Sequence, residues 1–107
     1  MTYQVKLLPR AKRQLYESAL WWADNRSTEQ AVRWLEGFEA ALGLLAENPE
    51  RWPLAPESEI VGFEIREMTY GLGRNKTHRA VFEIRVNEVV VHAIRHLAQD
   101  GLTANEF

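Results

Sequence analysis

Residues 78–96 read HRAVFEIRVNEVVVHAIRH, and this stretch decides the fold of the 107-residue chain. Apolar residues alternate with polar ones on both sides of Asn87-Glu88, a pattern typical of two antiparallel strands joined by a tight turn. A two-residue turn at Asn87-Glu88 places Arg79 directly opposite His96. We therefore predict a β-hairpin in which these two side chains are neighbours, whereas a three-residue loop would break the pairing.

The same register divides the hairpin side chains between two faces. One face is apolar and is expected to point toward the core, with Ile84 opposite Val91 and Phe82 opposite Ala93. The other face is mixed, and we expect part of it to be exposed. Its hairpin members are Arg79, Val81, Glu83, Arg85, Val90, His92, Ile94 and His96.

Length and composition indicate one domain over residues 1–107. A hydrophobic content of 46% with 26% charged residues is ordinary for a globular chain and argues against disorder. The absence of cysteine excludes disulfides, thiolate metal sites and cysteine nucleophiles, and three scattered histidines do not suggest a zinc site. We expect no metal and no cofactor. With no basic leader and no long apolar segment, a cytoplasmic protein without membrane contact is expected.

The formal net charge of -2 argues against strong attraction of the whole molecule to nucleic acid. Residues 60–96, however, carry six basic against four acidic side chains, while the residues before them are acidic overall. The sequence therefore predicts a modestly basic sheet on an acidic body.

Hydrophobic spacing predicts the remaining elements. Tyr3, Val5 and Leu7 alternate as a first strand, and Pro9 then suits the first turn of a helix that ends near Asn25. A second helix begins at Ser27 and stops at Asn48-Pro49. Its start is marked by a capping box, because Ser27 is followed three residues later by Gln30.

Residues 49–59 contain three prolines and predict an ordered loop, after which Val61, Phe63 and Ile65 alternate as a strand. The predicted fold class is α+β: an N-terminal strand, an antiparallel two-helix hairpin, and three antiparallel strands, with the helices packed on one face of the sheet. The exposed face would then carry Arg66, Arg79, Arg85, His92 and His96.

Three segments resemble a known family. They are GFEIREM at residues 62–68, HRAVFEI at 78–84 and AIRHLAQD at 93–100. In their order and spacing they are similar to the RelE/ParE superfamily, the toxins of type II toxin-antitoxin (plasmid stabilisation) systems. The resemblance covers nearly the whole chain and implies a small cytoplasmic toxin that a cognate antitoxin neutralises.

The superfamily contains two kinds of activity. RelE-like members cleave mRNA in the ribosome without a metal, using strand arginines and lysines with a C-terminal Tyr or His. On this resemblance Arg66 and Arg79 would hold the phosphate and His96 would act as the acid or base. ParE-like members instead inhibit DNA gyrase and lack that nuclease set.

We favour the gyrase-directed branch. No tyrosine follows Tyr70, the chain is acidic overall, and the spacing from His96 to Asp100 resembles the ParE-like ending. The ribosome-dependent mRNA endonuclease is the alternative, and an inactive binding relative is a third reading. In the first two cases the target is DNA gyrase or the ribosome with its mRNA, and the chain forms a homodimer or a toxin-antitoxin hetero-oligomer.

Other side chains are predicted to contact these partners. Trp21 and Trp22 are adjacent on the first helix and point about 100° apart, so both cannot lie centrally on its buried stripe. An exposed tryptophan suits a protein interface, although packing under a loop or sheet edge is an equal alternative. The predicted binding residues are Arg85, Arg95, Trp21 and Trp22. For Arg79 the alternative is a plain ion pair with Glu83 or Glu64.

Overall fold

The computed structural model describes residues 2–107 and has helices on one side of a four-stranded sheet. Its elements in chain order are β1 (Gln4–Leu7), α1 (Pro9–Asn25), α2 (Thr28–Gly43), α3 (Glu57–Val61), β2 (Arg66–Tyr70), β3 (His78–Ile84) and β4 (Glu88–His96). Short 3-10 helices cover Leu44–Ala46, Pro49–Arg51 and Ala104–Glu106.

The two long helices begin where the sequence predicts. Pro9 occupies the first turn of α1, where its missing N–H costs nothing. The Ser27 hydroxyl oxygen accepts a hydrogen bond from the backbone N–H of Gln30 at 3.0 Å and so caps α2. This confirms the capping interaction and both helix starts.

The strands lie in the order β1-β4-β3-β2. Strands β2, β3 and β4 are antiparallel, while β1 pairs with β4 in parallel after the chain has passed through both helices. The buried stripes of α1 and α2 cover one face of this sheet. The resulting core contains Leu15, Trp34, Phe38, Leu42, Met68, Phe82 and Val91. The α+β fold class is confirmed, with a mixed sheet.

The register of the hairpin differs from the prediction. The turn lies one residue earlier, at Val86-Asn87, where the backbone N–H of Arg85 donates to the carbonyl of Glu88 at 2.8 Å. A β-bulge between Val81 and Phe82 then shifts the pairing again.

The two shifts bring Arg79 opposite Arg95 and His78 opposite His96. The predicted opposition of Arg79 and His96 is therefore wrong, and these two side chains lie on opposite faces of the sheet. Asn-Glu lacks the glycine that would hold a tight turn at the predicted place. Nothing in the alternating pattern marks the bulge.

The second face of the sheet is covered rather than exposed. A smaller apolar cluster lies there, formed by Ala55, Ile65, Val81, Ala93 and Leu102. The C-terminal segment and α3 bring the covering residues to this face. Arg79 and His92, predicted on an exposed face, are buried, and Arg66 is half-buried. Only Arg85 and His96 of the five predicted residues are exposed.

Residues 57–61 form helix α3, where the sequence predicts the end of a loop and the start of a strand. Gly62 ends the helix with a left-handed φ of 81°, and β2 begins only at Arg66. Ser58 fixes this arrangement, because its hydroxyl accepts from the Ile65 N–H at 2.8 Å and donates to the Ile65 carbonyl at 2.7 Å. The predicted strand through Val61 and Phe63 is wrong.

Candidate functional site

A groove of about 570 Å³ runs between α1 and the ends of β3 and β4. We call it the α1–β4 groove. Its α1 wall is formed by Gln14, Glu17, Ser18, Trp21 and Trp22, with Arg26 at the end. Its sheet wall is formed by Thr77, His78, Ile94, His96 and Gln99.

Two histidines stand side by side in the sheet wall of the groove. The rings of His78 and His96 are 5.0 Å apart between centroids and inclined by 74°. Burial and, to a smaller extent, the neighbouring His96 together lower the pKa of His78 to about 4. His78 is therefore neutral at physiological pH, with its Nδ1 2.8 Å from the Thr77 hydroxyl.

The tautomer of His96 follows from its own contact. Its Nδ1 accepts a hydrogen bond from the backbone N–H of Ala98 at 3.0 Å. In the neutral ring the proton must then lie on Nε2, which makes Nε2 a hydrogen-bond donor. His96 is exposed, so this donor is accessible at the mouth of the groove.

Trp21 and Trp22 differ in exposure, as expected for adjacent residues on a helix. Trp21 is 51% exposed, whereas Trp22 is half-buried beside the core, and their rings meet edge to face at 5.8 Å. This confirms that one of the pair is exposed. The indole Nε1 of Trp22 is buried and has no acceptor among residues 2–107.

Arg79 is held in an ion-pair network on the other face of the sheet. Both of its terminal nitrogens donate to the Glu57 carboxylate, one of them at 3.0 Å, and Nη1 also donates to Glu67 at 2.9 Å. Glu57 accepts in addition from the Leu102 N–H at 2.9 Å. The hydrogen bond from Arg79 outweighs burial and lowers the pKa of Glu57 to about 2. Both predicted partners of Arg79, Glu83 and Glu64, are therefore wrong.

The guanidinium of Arg66 makes its hydrogen bonds at a different place from that of Arg79. Its guanidinium donates to the carbonyls of Trp52 at 2.6 Å and Glu50 at 3.1 Å, and it pairs with Glu64 at 3.2 Å. It lies opposite Phe82, three positions from Arg79, and so on the other face of the sheet. Arg66, Arg79 and His96 consequently do not converge on one phosphate position.

The two arginines that are predicted to bind partners, Arg85 and Arg95, differ in the exposure of their side chains. Arg85 is exposed at the hairpin turn, with Glu83 at 3.3 Å and Glu88 at 3.8 Å. Arg95 is half-buried and donates to the Asp100 carbonyl at 2.6 Å. Of this pair, only Arg85 is exposed to solvent.

The described residues, 2–107, contain no cluster of three or more His, Asp or Glu side chains arranged to hold a metal ion. Within the same range, no helix has the length and apolar character needed to cross a membrane.

Sequence reasoning missed several residues that shape these sites. His78 would have been found by shifting the hairpin register by one residue, since its partner His96 was already a candidate. The sequence does not mark Glu57 as a buried residue, because a single glutamate in a proline-rich loop is usually exposed. Gln14 and Gln99 line the groove and carry no motif.

The fold has a solved counterpart. A structure described as the chromosomal ParDE TA system from P. aeruginosa superposes with a TM-score of 0.70 at 18% sequence identity, covering 89% of this chain and 96% of that one. The chain thus has the α+β fold found in a toxin-antitoxin system. A comparison with curated protein sequences gives no match.

The family is defined by sequence as well. The ParE toxin of type II toxin-antitoxin system, parDE, is the family that matches residues 5–101. Because the match extends over most of its length, the chain belongs to the ParE toxin family. The resemblance to the RelE/ParE superfamily is confirmed.

Proposed function

We propose that this chain is a ParE-type toxin that acts in the cytoplasm by inhibiting DNA gyrase and is neutralised by a cognate antitoxin. Membership of the ParE family supports a toxin with an antitoxin partner. The choice of gyrase over the ribosome rests on one observation in particular, the burial of Arg79 in its ion pair with Glu57.

That ion pair counts against the nuclease. A group that stabilises charge on a phosphate must be free to meet it, and Arg79 is 8% exposed and fully occupied by two carboxylates. Extracting it would leave Glu57 charged and unpaired in the interior, at a cost of about 3–5 kcal/mol. Arg66 and His96 also lie apart from it. A protein-binding toxin needs none of these groups to converge.

Two of the predicted binding residues are accessible enough to contact a target. Trp21 is half-exposed in the α1–β4 groove, and Arg85 is exposed at the opposite end of the hairpin. Aromatic and arginine side chains contribute strongly to protein interfaces. We assign Arg85 to the target-binding surface and Trp21 to the antitoxin-binding surface.

Induced expression of the chain alone in a bacterial host tests the proposal. Labelled thymidine and labelled amino acids, followed separately, should show early loss of DNA synthesis while protein synthesis continues. Arg85→Glu should weaken this arrest, and Arg13→Glu, an exposed change on α1, should not. Co-expression of the protein encoded beside this gene should restore growth.

Two other results would contradict the proposal. A prompt stop in protein synthesis would favour the ribosome-dependent endonuclease. Normal growth at confirmed expression of folded protein would favour an inactive binding relative.

A further inference from the structure

Strand β4 extends well beyond its neighbour β1. The parallel pairing ends at Leu7 opposite Val91, after which the Leu8 N–H donates to the Val91 carbonyl and the chain turns into α1 at Pro9. Residues 92–96 of β4 therefore have β3 on one side and no strand on the other. An edge of this kind presents backbone groups that a further strand could pair with.

Side chains occupy this open edge in place of a strand. Arg10 donates from Nε and Nη2 to the His92 carbonyl at 3.2 and 3.1 Å. The Gln14 amide oxygen accepts from the Ile94 N–H at 2.9 Å, and the Gln99 amide oxygen accepts from the His96 N–H at 2.7 Å. Long, flexible side chains can leave such positions at small cost, because an added strand supplies equivalent groups: its N–H can replace the Arg10 donor, and its carbonyls can replace the glutamine acceptors.

The α1–β4 groove opens beside this edge, and its lining suits a polypeptide. Ile94, His96, Gln14 and Gln99 belong both to the edge and to the groove. The buried indole N–H of Trp22 lacks an acceptor among residues 2–107, and the exposed His96 ring offers a second donor. A bound polypeptide with hydrogen-bond acceptors could pair with both of these donors.

The charges of the groove disfavour nucleic acid. Arg26 is its only arginine, Glu17 lies in the same wall, and His78 is neutral at physiological pH. Nucleic acid binding requires several cations to neutralise phosphates. A backbone edge beside a groove lined by both polar side chains and the two tryptophans is instead an arrangement that can bind an extended peptide.

We propose that an extended segment of the antitoxin adds as a strand to the open edge of β4, pairing with Ile94 and His96 and placing a side chain with an acceptor group between Trp22 and the ring of His96. This site rests on the proposed function for the identity of its partner. In the complex, backbone carbonyls of the added strand replace the amide oxygens of Gln14 and Gln99.

Hydrogen exchange of the full-length chain, alone and in complex with the protein encoded beside its gene, tests the site. The amides of Ile94 and His96 should exchange at least about tenfold more slowly in the complex. Gln14→Ala should speed exchange at Ile94 in the free protein only, since the added strand restores the hydrogen bond in the complex. Unchanged exchange at both amides in a formed complex would overturn the proposal.

Affinity gives an independent readout. Ser18→Arg fills the groove from the α1 wall and should weaken binding about tenfold or more, while Val86→Arg adds the same charge at the far end of the hairpin and should not. Equal affinities for the two variants, with both folded by thermal unfolding, would overturn the site. A dimer of the free chain that already protects Ile94 and His96 would assign the edge to a second copy and also overturn it.

The two experiments distinguish failure of the proposed function from failure of the strand site. If induced expression does not arrest growth but the complex forms and protects Ile94 and His96, the strand site stands and the toxin assignment does not. If growth arrest is relieved by a partner that leaves these amides unchanged, the toxin assignment stands and the strand site does not.

Discussion

At the scale of single residues, Arg79 ties together three parts of the chain that are distant in sequence. Its guanidinium on β3 holds Glu57 of α3 and Glu67 of β2, and Glu57 in turn binds the N–H of Leu102 near the C-terminus. A buried pair of this kind contributes little by its formation, but breaking it leaves an unpaired charge in the interior. The integrity of the second face therefore depends on both partners.

This ion pair gives a prediction for acid stability. The pKa of Glu57 falls from its ordinary value of 4.5 to about 2 in the folded protein. Because the folded pKa is the lower one, the stabilisation is fully present above the ordinary pKa and is lost as pH falls through the folded pKa. We expect protonation of Glu57 to lower the stability of the protein by about 3 kcal/mol between about pH 5 and about pH 2.

Denaturant unfolding across this pH range, on wild type and on Glu57→Gln, measures the effect. The variant should be less stable at neutral pH and should lose less stability on acidification than the wild type. Glu39→Gln, an exposed change on α2, is the control and should follow the wild-type profile. Parallel profiles for wild type and Glu57→Gln would show that the pair does not set acid stability.

Gly37 gives a second prediction at this scale. A Cβ at Gly37 would collide with the Tyr70 hydroxyl, which donates to the Trp34 carbonyl at 3.1 Å. Gly37→Ala should therefore destabilise the protein by about 1–3 kcal/mol, despite the better helix propensity of alanine. In a Tyr70→Phe background the same change should cost less, because the hydroxyl is gone and the nearest remaining ring atom, Cζ, lies 3.2 Å from the new Cβ.

Gly43→Ala is the matched control, because nothing lies within 4 Å of its Cβ position. Urea unfolding of the four variants Gly37→Ala, Tyr70→Phe, their combination and Gly43→Ala gives the comparison. Additive costs for Gly37→Ala and Tyr70→Phe would mean that the two groups do not meet.

At the scale of elements, the C-terminal segment is part of the second core. Leu102 is 2% exposed and packs with Ile65, Val81 and Ala93 on the face of the sheet away from the long helices. Phe107 also lies against this cluster and contacts the ring of His92 at 5.2 Å between centroids. The segment therefore stabilises the sheet rather than trailing from it.

Leu102→Ala tests this arrangement. Removal of a buried leucine side chain costs about 2–5 kcal/mol when the surroundings cannot collapse, and we expect a value in this range. Leu97→Ala, in the same segment but 43% exposed, should change the free energy of unfolding by less than about 1 kcal/mol. Equal small effects of the two substitutions in urea unfolding would place the segment outside the core.

The elements also show what sequence patterns can and cannot predict. Both long helices follow from a 3.6-residue period with a proline or a serine cap at the start, because these signals are local. The register of β3 and β4 does not, since the displaced turn and the bulge leave no mark in the apolar and polar pattern of the sequence. The displaced turn and the bulge together separate Arg79 from His96 and place His78 opposite it.

Helix α3 was missed for a related reason. Its five residues are too few for a period, and the contacts that hold it come from Ser58 to Ile65 and from Glu57 to Arg79. Such contacts depend on the tertiary fold, so the sequence alone could not predict them.

At the scale of the whole molecule, the charge distribution bears on the choice between nucleic acid and protein partners. The net charge of -2 and the neutral groove do not favour a long nucleic acid ligand. The family match over residues 5–101 confirms the family that three short segments, in their order along the chain, predict. The site residues were less predictable, since Arg66 and Arg79 are held by contacts that only the folded chain creates.

The molecule's accessible features point to protein partners at two separate places, the α1–β4 groove and the hairpin turn. We predict that occupation of the groove by an antitoxin leaves Arg85 exposed, because the two lie at opposite ends of the hairpin. Chemical modification of arginine in the complex, read by mass spectrometry, should label Arg85 as in the free protein. Complete protection of Arg85 by the antitoxin would mean that one partner covers both places.

The most direct measurement is a titration of the purified chain into two reactions, supercoiling of relaxed plasmid by purified DNA gyrase and translation on purified ribosomes. Our account predicts that supercoiling is lost while translation and the mRNA remain intact. Cleavage of ribosome-bound mRNA with supercoiling unaffected would contradict it.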